Sequence, residues 1–252
     1  MKQILLHANL KRHRGSLLGI GFLVFLSVLL FTTILSVGSA GARTEDEELS
    51  RLGYGNLTAW VSGNEEVLSG LGDELENQDS VAQVSIQPLF FSDYEINGQE
   101  SDSEGQLVLY EPDRVPYRFF NAELSGYREA PETIEPGTVY LPASMVSMYG
   151  ASAGDTIDFS IARQGNGISL TVAGFFEDPF MGSSMIGMKS VLVSRETLEE
   201  AKEILADAGI DSLAREGGMI HITAAHPSMS APELNQILYE ETTLATCAEF
   251  LY

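Results

Sequence analysis

The chain has 252 residues, 44% of them apolar, and carries 14 Lys and Arg against 36 Asp and Glu for a formal charge of −22. The charge is unevenly placed: Lys2, Lys11, Arg12, Arg14 and Arg43 precede the first acid, Glu45, and residues 44–252 hold 9 basic against 36 acidic side chains, a formal −27. A body so acidic repels nucleic acid and anionic headgroups, which excludes DNA binding and a peripheral membrane face for that part while leaving cationic ligands or partners open.

Residues 1–16 form a basic stub. Ile4, Leu5, Ala8 and Leu10 alternate loosely with Lys2, Lys11, Arg12 and Arg14, a pattern suited to an amphipathic stretch lying on an inner leaflet. From Leu17 to Val37 follow 21 residues without a charge. At about 1.5 Å per residue, such a helix matches a hydrocarbon layer of about 30 Å, so a transmembrane helix is expected over 17–37. The basic residues before the span predict a cytoplasmic N-terminus and an extracytoplasmic main domain. Gly15 and Gly19 make a small-xxx-small pair where another membrane helix could approach. A cleaved secretory signal is the competing reading, since Ala40-Gly41-Ala42 resembles a cleavage site. The apolar run exceeds the roughly 7–15 residues of a signal core, and anchoring is preferred.

Residues 38–53 read as a charged stalk. Beyond it, Leu57 to Val61 alternates as a strand, and Asn64 is placed to cap a helix with Val67, Leu71 and Leu75 on one face. Val81 to Phe91 reads as a strand. Further strands are expected at Gln106–Tyr110, Thr138–Leu141, Thr156–Ala162 and Ile168–Phe176, with a hairpin turn at Gln164-Gly165-Asn166-Gly167. Ser190–Ser194 reads as a strand, Arg195–Ala208 as a helix with Leu198, Ala201, Leu205 and Ala208 inward, and Met219–Thr223 as a strand. The expected fold is α+β: a subdomain of residues 54–91 and 189–252 with a β-rich subdomain, 92–188, inserted into it.

Chemistry-bearing patterns are few. His7 and His13 lie in the stub, while His221 and His226 are separated by an odd number on and after a strand and carry no cysteine pair, so they read as structural. Cys247, the single cysteine, can form no internal disulfide. Gly182-Ser183-Ser184-Met185-Ile186-Gly187 is no nucleophile elbow, and no Gly-rich phosphate loop follows a strand. Neither enzymatic activity nor a cofactor is expected. Asp93, Glu95, Asn97, Gly98 and Glu104 match positions of a calcium loop, yet position 3 is Glu, the flanks read as strands, and Asn97-Gly98 is itself a hairpin signal. Asn56-Leu57-Thr58 has the form of a glycosylation acceptor. Phe180, Met181, Met185 and Met188, with Ile186, make a soft apolar loop suited to a partner or hydrophobic ligand, core burial being the plainer alternative.

Three groups of residues resemble MacB-like or FtsX-like permeases of ABC transporters: the lead-in Asn9 to Ser16 with the long first helix, Tyr140-Leu141-Pro142-Ala143-Ser144 with Gly154-Asp155-Thr156-Ile157, and Val172-Ala173-Gly174-Phe175-Phe176 leading into Asp178-Pro179-Phe180. The resemblance implies an extracytoplasmic domain made of a mixed part and an inserted β-rich part, further membrane helices, and a cytoplasmic ATPase subunit as partner. It implies other permease helices or a second permease subunit as companions, export or efflux as the task, and no catalytic residue. Those further helices do not occur before Tyr252, so a fragment, a truncated product or a split subunit is expected. A stand-alone anchored binding or sensor module is the alternative.

Overall fold

The computed structural model describes residues 14–162, 166–178, 180–210, 215–244 and 248–251. The stub before Arg14, with His7 and His13, and also Gln164-Gly165, Pro179 and Cys247, lie outside them. The chain divides into two units, Met1–Glu47 and Glu48–Tyr252.

Most of the first unit is helix α1 (Arg14–Leu52). Its segment Gly19–Val37 has a mean hydropathy of 2.5 and no buried residue, so it is long and apolar enough to cross a membrane. The hydroxyls of Ser27, Thr32 and Thr33 donate to the carbonyls of Leu23, Val28 and Leu29, four residues earlier. The span thus satisfies these polar groups from within. The helix also continues through most of 38–53, where Ala, Arg, Glu and Leu favour helix and no proline interrupts. Its last turn belongs to the second unit, with Leu52 fully buried and Arg51 Nη1 donating to Pro116 O at 2.6 Å.

The second unit is one mixed sheet carrying helices. Its strands are β1 (Leu57–Ser62), β2 (Val81–Ile96), β3 (Gln99–Glu100), β4 (Gly105–Leu109), β5 (Arg118–Phe120), β6 (Tyr127–Arg128), β7 (Thr138–Pro142), β8 (Thr156–Ala162), β9 (Asn166–Glu177), β10 (Lys189–Val193), β11 (Glu216–Ala224) and β12 (Ala248–Leu251). The order is β12-β1-β11-β2-β4-β10-β7-β9-β5-β6, with β3 on β2 and β8 pairing both β2 and β9. Two contacts are parallel, β4 with β10 and β7 with β9. Every residue of β4 and β10 is buried, the pattern of strands covered on both faces. This is the α+β fold that the sequence patterns imply.

Among the described residues four helices accompany the sheet: α2 (Glu65–Glu76), α3 (Ser144–Tyr149), α4 (Arg195–Asp207) and α5 (Ala231–Glu241). Asn64 caps α2 by accepting the Val67 N–H at 3.1 Å. The inward face of α2 is Leu68, Leu71 and Leu75, whereas Val67, expected inside, is 39% exposed. Helix α4 buries Leu198, Ala201 and Leu205 and ends before Gly209 (φ 66°), leaving Ala208 exposed because the helix has already closed. Helix α5 was not expected from the sequence, although Ser230 accepts the Glu233 N–H at its start in the manner of a capping box.

The described residues form three apolar clusters. One joins β1, β11, α2 and α5; it draws only on residues 57–91 and 189–252. Another, centred on β7, β8, β9 and α4, lies mainly within the expected insertion. The third, containing Tyr54, Trp60, Phe119, Phe176 and Met181, draws on both. Strand β2 runs unbroken past residues 91 and 92, pairing β11 with its first half and β8 with its second. The two expected parts therefore share a strand and a sheet.

Candidate functional site

The loop between β9 and β10 is where the sequence placed an apolar contact site, and its construction is unusual. Asp178 follows β9, and its Oδ1 accepts the backbone N–H groups of Phe180 and Met181, each at 2.9 Å. Lys189 opens β10 with no exposed surface, and its Nζ donates to the carbonyls of Met181 at 3.0 Å and Ser183 at 2.6 Å. Two ionisable side chains, one at each end, thus satisfy loop backbone that no strand or helix satisfies. Burial raises the Asp178 carboxyl above its ordinary pKa, against the pull of the two N–H groups and Lys189. Burial lowers the Lys189 ammonium, and Asp178 opposes that shift. At Gly182 the backbone passes so near Asp178 O that a Cβ would collide with it.

This clamp divides the four residues singled out from the sequence. Phe180 lies over Trp60, ring centroids 4.9 Å apart, and meets Tyr54 edge-on at 6.1 Å. Met181 is 7% exposed within the same cluster, and Met188 packs against it. The Met188 sulfur accepts an N–H of Gln106, whose Oε1 takes the indole N–H of Trp60 at 3.3 Å and the hydroxyl of Ser190 at 3.2 Å. Only Met185 points out, 93% exposed, beside Ile186 at 37%. Three of the four residues are therefore core, and the apolar surface that the loop offers is its tip. The tip is an ordered turn: Ser183 accepts the Met185 N–H on its hydroxyl at 3.2 Å and the Ile186 N–H on its carbonyl at 3.1 Å.

Beneath the loop runs a buried polar chain. Tyr54 stacks on His221 at 4.1 Å, and its hydroxyl meets that of Tyr117 at 2.7 Å. Tyr117 donates to Gln87 Oε1, which lies 3.0 Å from His221 Nε2, while His221 Nδ1 lies 3.0 Å from the Thr58 hydroxyl. Because Gln87 Oε1 only accepts, the imidazole proton resides on Nε2 and Nδ1 accepts from Thr58. Burial pushes the His221 pKa down to about 3, so the ring is neutral. The structure gives His221 a role in the core; His226 is exposed beyond β11.

The remaining candidates separate cleanly. Asp93 and Glu95 are exposed in β2, and Asn97 (φ 53°) with Gly98 (φ 73°) makes the β2–β3 hairpin turn. Glu104 pairs with Arg215 at 3.1 Å, and Asn97 Nδ2 donates to Asp155 at 3.1 Å, so the calcium-like segment is a hairpin in which these two side chains are engaged with other partners. No cluster of three or more His, Cys, Asp or Glu poised for a metal occurs among the described residues. Gly15 and Gly19 both fall in α1, and the position of a Cβ on Gly19 meets no atom within 4 Å. The Asp178–Lys189 clamp was missed from sequence. Its available signals were the Asp178-Pro179 dipeptide and a lysine at the start of the strand Lys189-Ser190-Val191-Leu192-Val193.

No protein-family model and no curated protein matches this chain. Solved structures with a similar arrangement include the periplasmic region of MacB from Actinobacillus actinomycetemcomitans, 13% identical over 81% of this chain and 91% of that one, with a TM-score of 0.38. The extracellular domain of the noncanonic ABC-type transporter YknZ from Gram-positive bacteria is 11% identical over 77% of this chain and 97% of that one, with a TM-score of 0.36.

Proposed function

We propose that this chain is a permease subunit of an ABC transporter, or the N-terminal portion of one, and that its large domain moves or binds ligand as a cytoplasmic partner hydrolyses ATP. The observation that carries the reading is how its permease-like segments assemble. Two of the three permease-like groups, both within residues 140–176, are hydrogen-bonded to one another in space. Tyr140 to Pro142 in β7 pairs in parallel with Gly174 to Phe176 in β9, and the Ala143 N–H reaches Phe176 O at 3.1 Å. The Gly154 N–H donates to Val172 O and the Val172 N–H to Asp155 O, both at 2.8 Å. Residues that resemble a family's motifs for unrelated reasons have no cause to converge on one patch of sheet.

In this reading the basic stub keeps the N-terminus in the cytoplasm, the large domain is extracytoplasmic, and the chain itself hydrolyses nothing. One apolar helix cannot enclose a polar path through lipid, so companion permease helices and an ATPase subunit are required. Gly19 presents an open face to such a helix. The test is co-purification from membranes with an ATPase encoded beside it, comparing the native chain with Gly15→Leu and Gly19→Leu. Association with the ATPase is expected, weakened in the variants. ATP turnover by the purified chain alone, or a C-terminal tag labelled only after cells are permeabilised, would refute the reading.

A further inference from the structure

We propose that Met185 is a methionine oxidation site, taking one oxygen from a two-electron oxidant such as hydrogen peroxide while the loop around it stays closed. The methionines other than Met1 all lie among the described residues, and of these Met185 alone is largely exposed. Met145, Met181 and Met219 are between 0% and 7% exposed. Met148, Met188 and Met229 are partly covered, and the Met188 sulfur already accepts an N–H from Gln106. Among the described methionines, access and free lone pairs therefore coincide at Met185, the condition for site-selective oxidation of a thioether.

The step balances with the oxidant named. A sulfur lone pair attacks one peroxide oxygen, the O–O bond breaks as the S–O bond forms, and a proton passes to the departing oxygen to give water. Sulfur loses two electrons, and the peroxide gains them. The product is a polar sulfoxide on a turn whose backbone is fixed from below: Lys189 holds Ser183 O, and Ser183 holds the N–H groups of Met185 and Ile186. The Met185 side chain makes no part of the apolar clusters, so the added oxygen has no packed neighbour to displace. Oxidation turns the exposed end of the loop from apolar to polar and leaves Phe180, Met181 and Met188 in place. The inference is independent of the transporter reading, since it concerns only the chemistry and exposure of the loop.

The test is brief exposure of the purified full-length chain, in detergent micelles, to limiting hydrogen peroxide. Peptide mass mapping locates the added oxygen, and the emission of Trp60, the single tryptophan, reports whether Phe180 has left the indole. Among the methionines within residues 14–252 the first oxygen is expected on Met185, and Met185→Leu is expected to slow methionine oxidation about tenfold, with oxygen on Cys247 counted separately. Trp60 emission is expected to stay unchanged through that first addition. The inference is overturned by a first oxygen spread over other methionines, by an unaltered rate in Met185→Leu, or by an emission shift accompanying the first oxygen.

Discussion

The β2–β3 hairpin and the β9–β10 loop are held by opposite means. The hairpin turn is local: Asn97 and Gly98 adopt positive φ, and the strands on either side close it through Glu95–Glu100 and Ile96–Gln99 pairs. Its chemistry is contained in two neighbouring residues. The β9–β10 loop has no such turn. Asp178 and Lys189, at its two ends, supply charge-assisted hydrogen bonds to its backbone, and Phe180 fastens it to Trp60. A turn made by backbone preference degrades a little when one residue changes. A loop closed by an ionisable side chain at each end depends on both, because removing either withdraws the hydrogen bonds that it alone supplies to the loop backbone.

The largest effect that this contrast predicts is at Lys189. Lys189→Met fills similar space but withdraws two charge-assisted hydrogen bonds, to Met181 O and Ser183 O, each worth about 1.5–3 kcal/mol, so a loss of about 3–5 kcal/mol is expected. Urea titration of the full-length chain, followed by Trp60 emission, measures it. A red shift of that emission in the folded baseline would mark the loop's release from the indole. A loss below about 1 kcal/mol, within the range of an ordinary surface change, would abolish the distinction between the two turns.

Gly182→Ala attacks the same loop without touching a charge. Its Cβ would occupy the position of Asp178 O, and the obstacle is backbone, so the turn must shift and the Asp178 bonds to Phe180 and Met181 with it. About 2–3 kcal/mol of destabilisation is expected, with the thermal midpoint as the readout. Equal stability of variant and native chain would mean that the loop has room to relax, and the clamp would then be looser than its hydrogen bonds imply.

Acid sharpens the comparison through the groups under the loop. His221 has a folded pKa of about 3 against an ordinary 6.5, so between those values the unfolded chain binds the proton that the folded chain refuses. Stability contributed by the neutral ring is whole above pH 6.5 and falls as pH drops, by about 1.4 kcal/mol per pH unit in that window. Asp178 acts with the opposite sign, since its raised carboxyl pKa favours the folded state as pH falls through its own window above the ordinary 3.8. His221→Gln should flatten the decline between pH 6.5 and 5 in urea titrations; an unchanged slope would show that the ring is not the group taking up the proton.

These contrasts explain which parts of the molecule were legible in sequence. The apolar span, the Asn97-Gly98 turn, the Asn64 cap, and the alternation of β8 and β9 depend on neighbours within a few residues, and periodicity or turn chemistry displays them directly. Helix α5 was also legible, through Ser230-Ala231-Pro232-Glu233, and was overlooked because its apolar face is short, with Leu234 and Leu238 the buried residues. The apolar character of the loop is displayed in sequence, and its division between core and surface is not. What divides it is contact with Trp60, Gln106 and Lys189, and the first two of these lie more than seventy residues away in the chain. His221 poses the same difficulty: its partners, Thr58 and Gln87, are on strands that adjoin β11 only after the sheet has formed.

The smallest effect belongs to the hairpin, and it is the control on everything above. Gly98 sits at φ 73°, a conformation that costs an L-residue about 1 kcal/mol, and no atom lies within 4 Å of where its Cβ would stand. Gly98→Ala should therefore cost about 1 kcal/mol, through backbone strain alone. It should leave Trp60 emission untouched, because the neighbouring β2–β8 pairs, from Asp93–Ser160 to Ile96–Ile157, hold the strand on its other edge. Asn97 would still reach Asp155 and the carbonyls of Tyr149 and Gly150. Urea titrations of Gly98→Ala, Gly182→Ala and the double variant then give a direct measure of independence: two separately held turns predict additive losses to within about 0.5 kcal/mol. A coupling larger than that would mean that the hairpin and the clamped loop share a cooperative unit through β2 and β4, and the division between local and long-range closure would have to be redrawn.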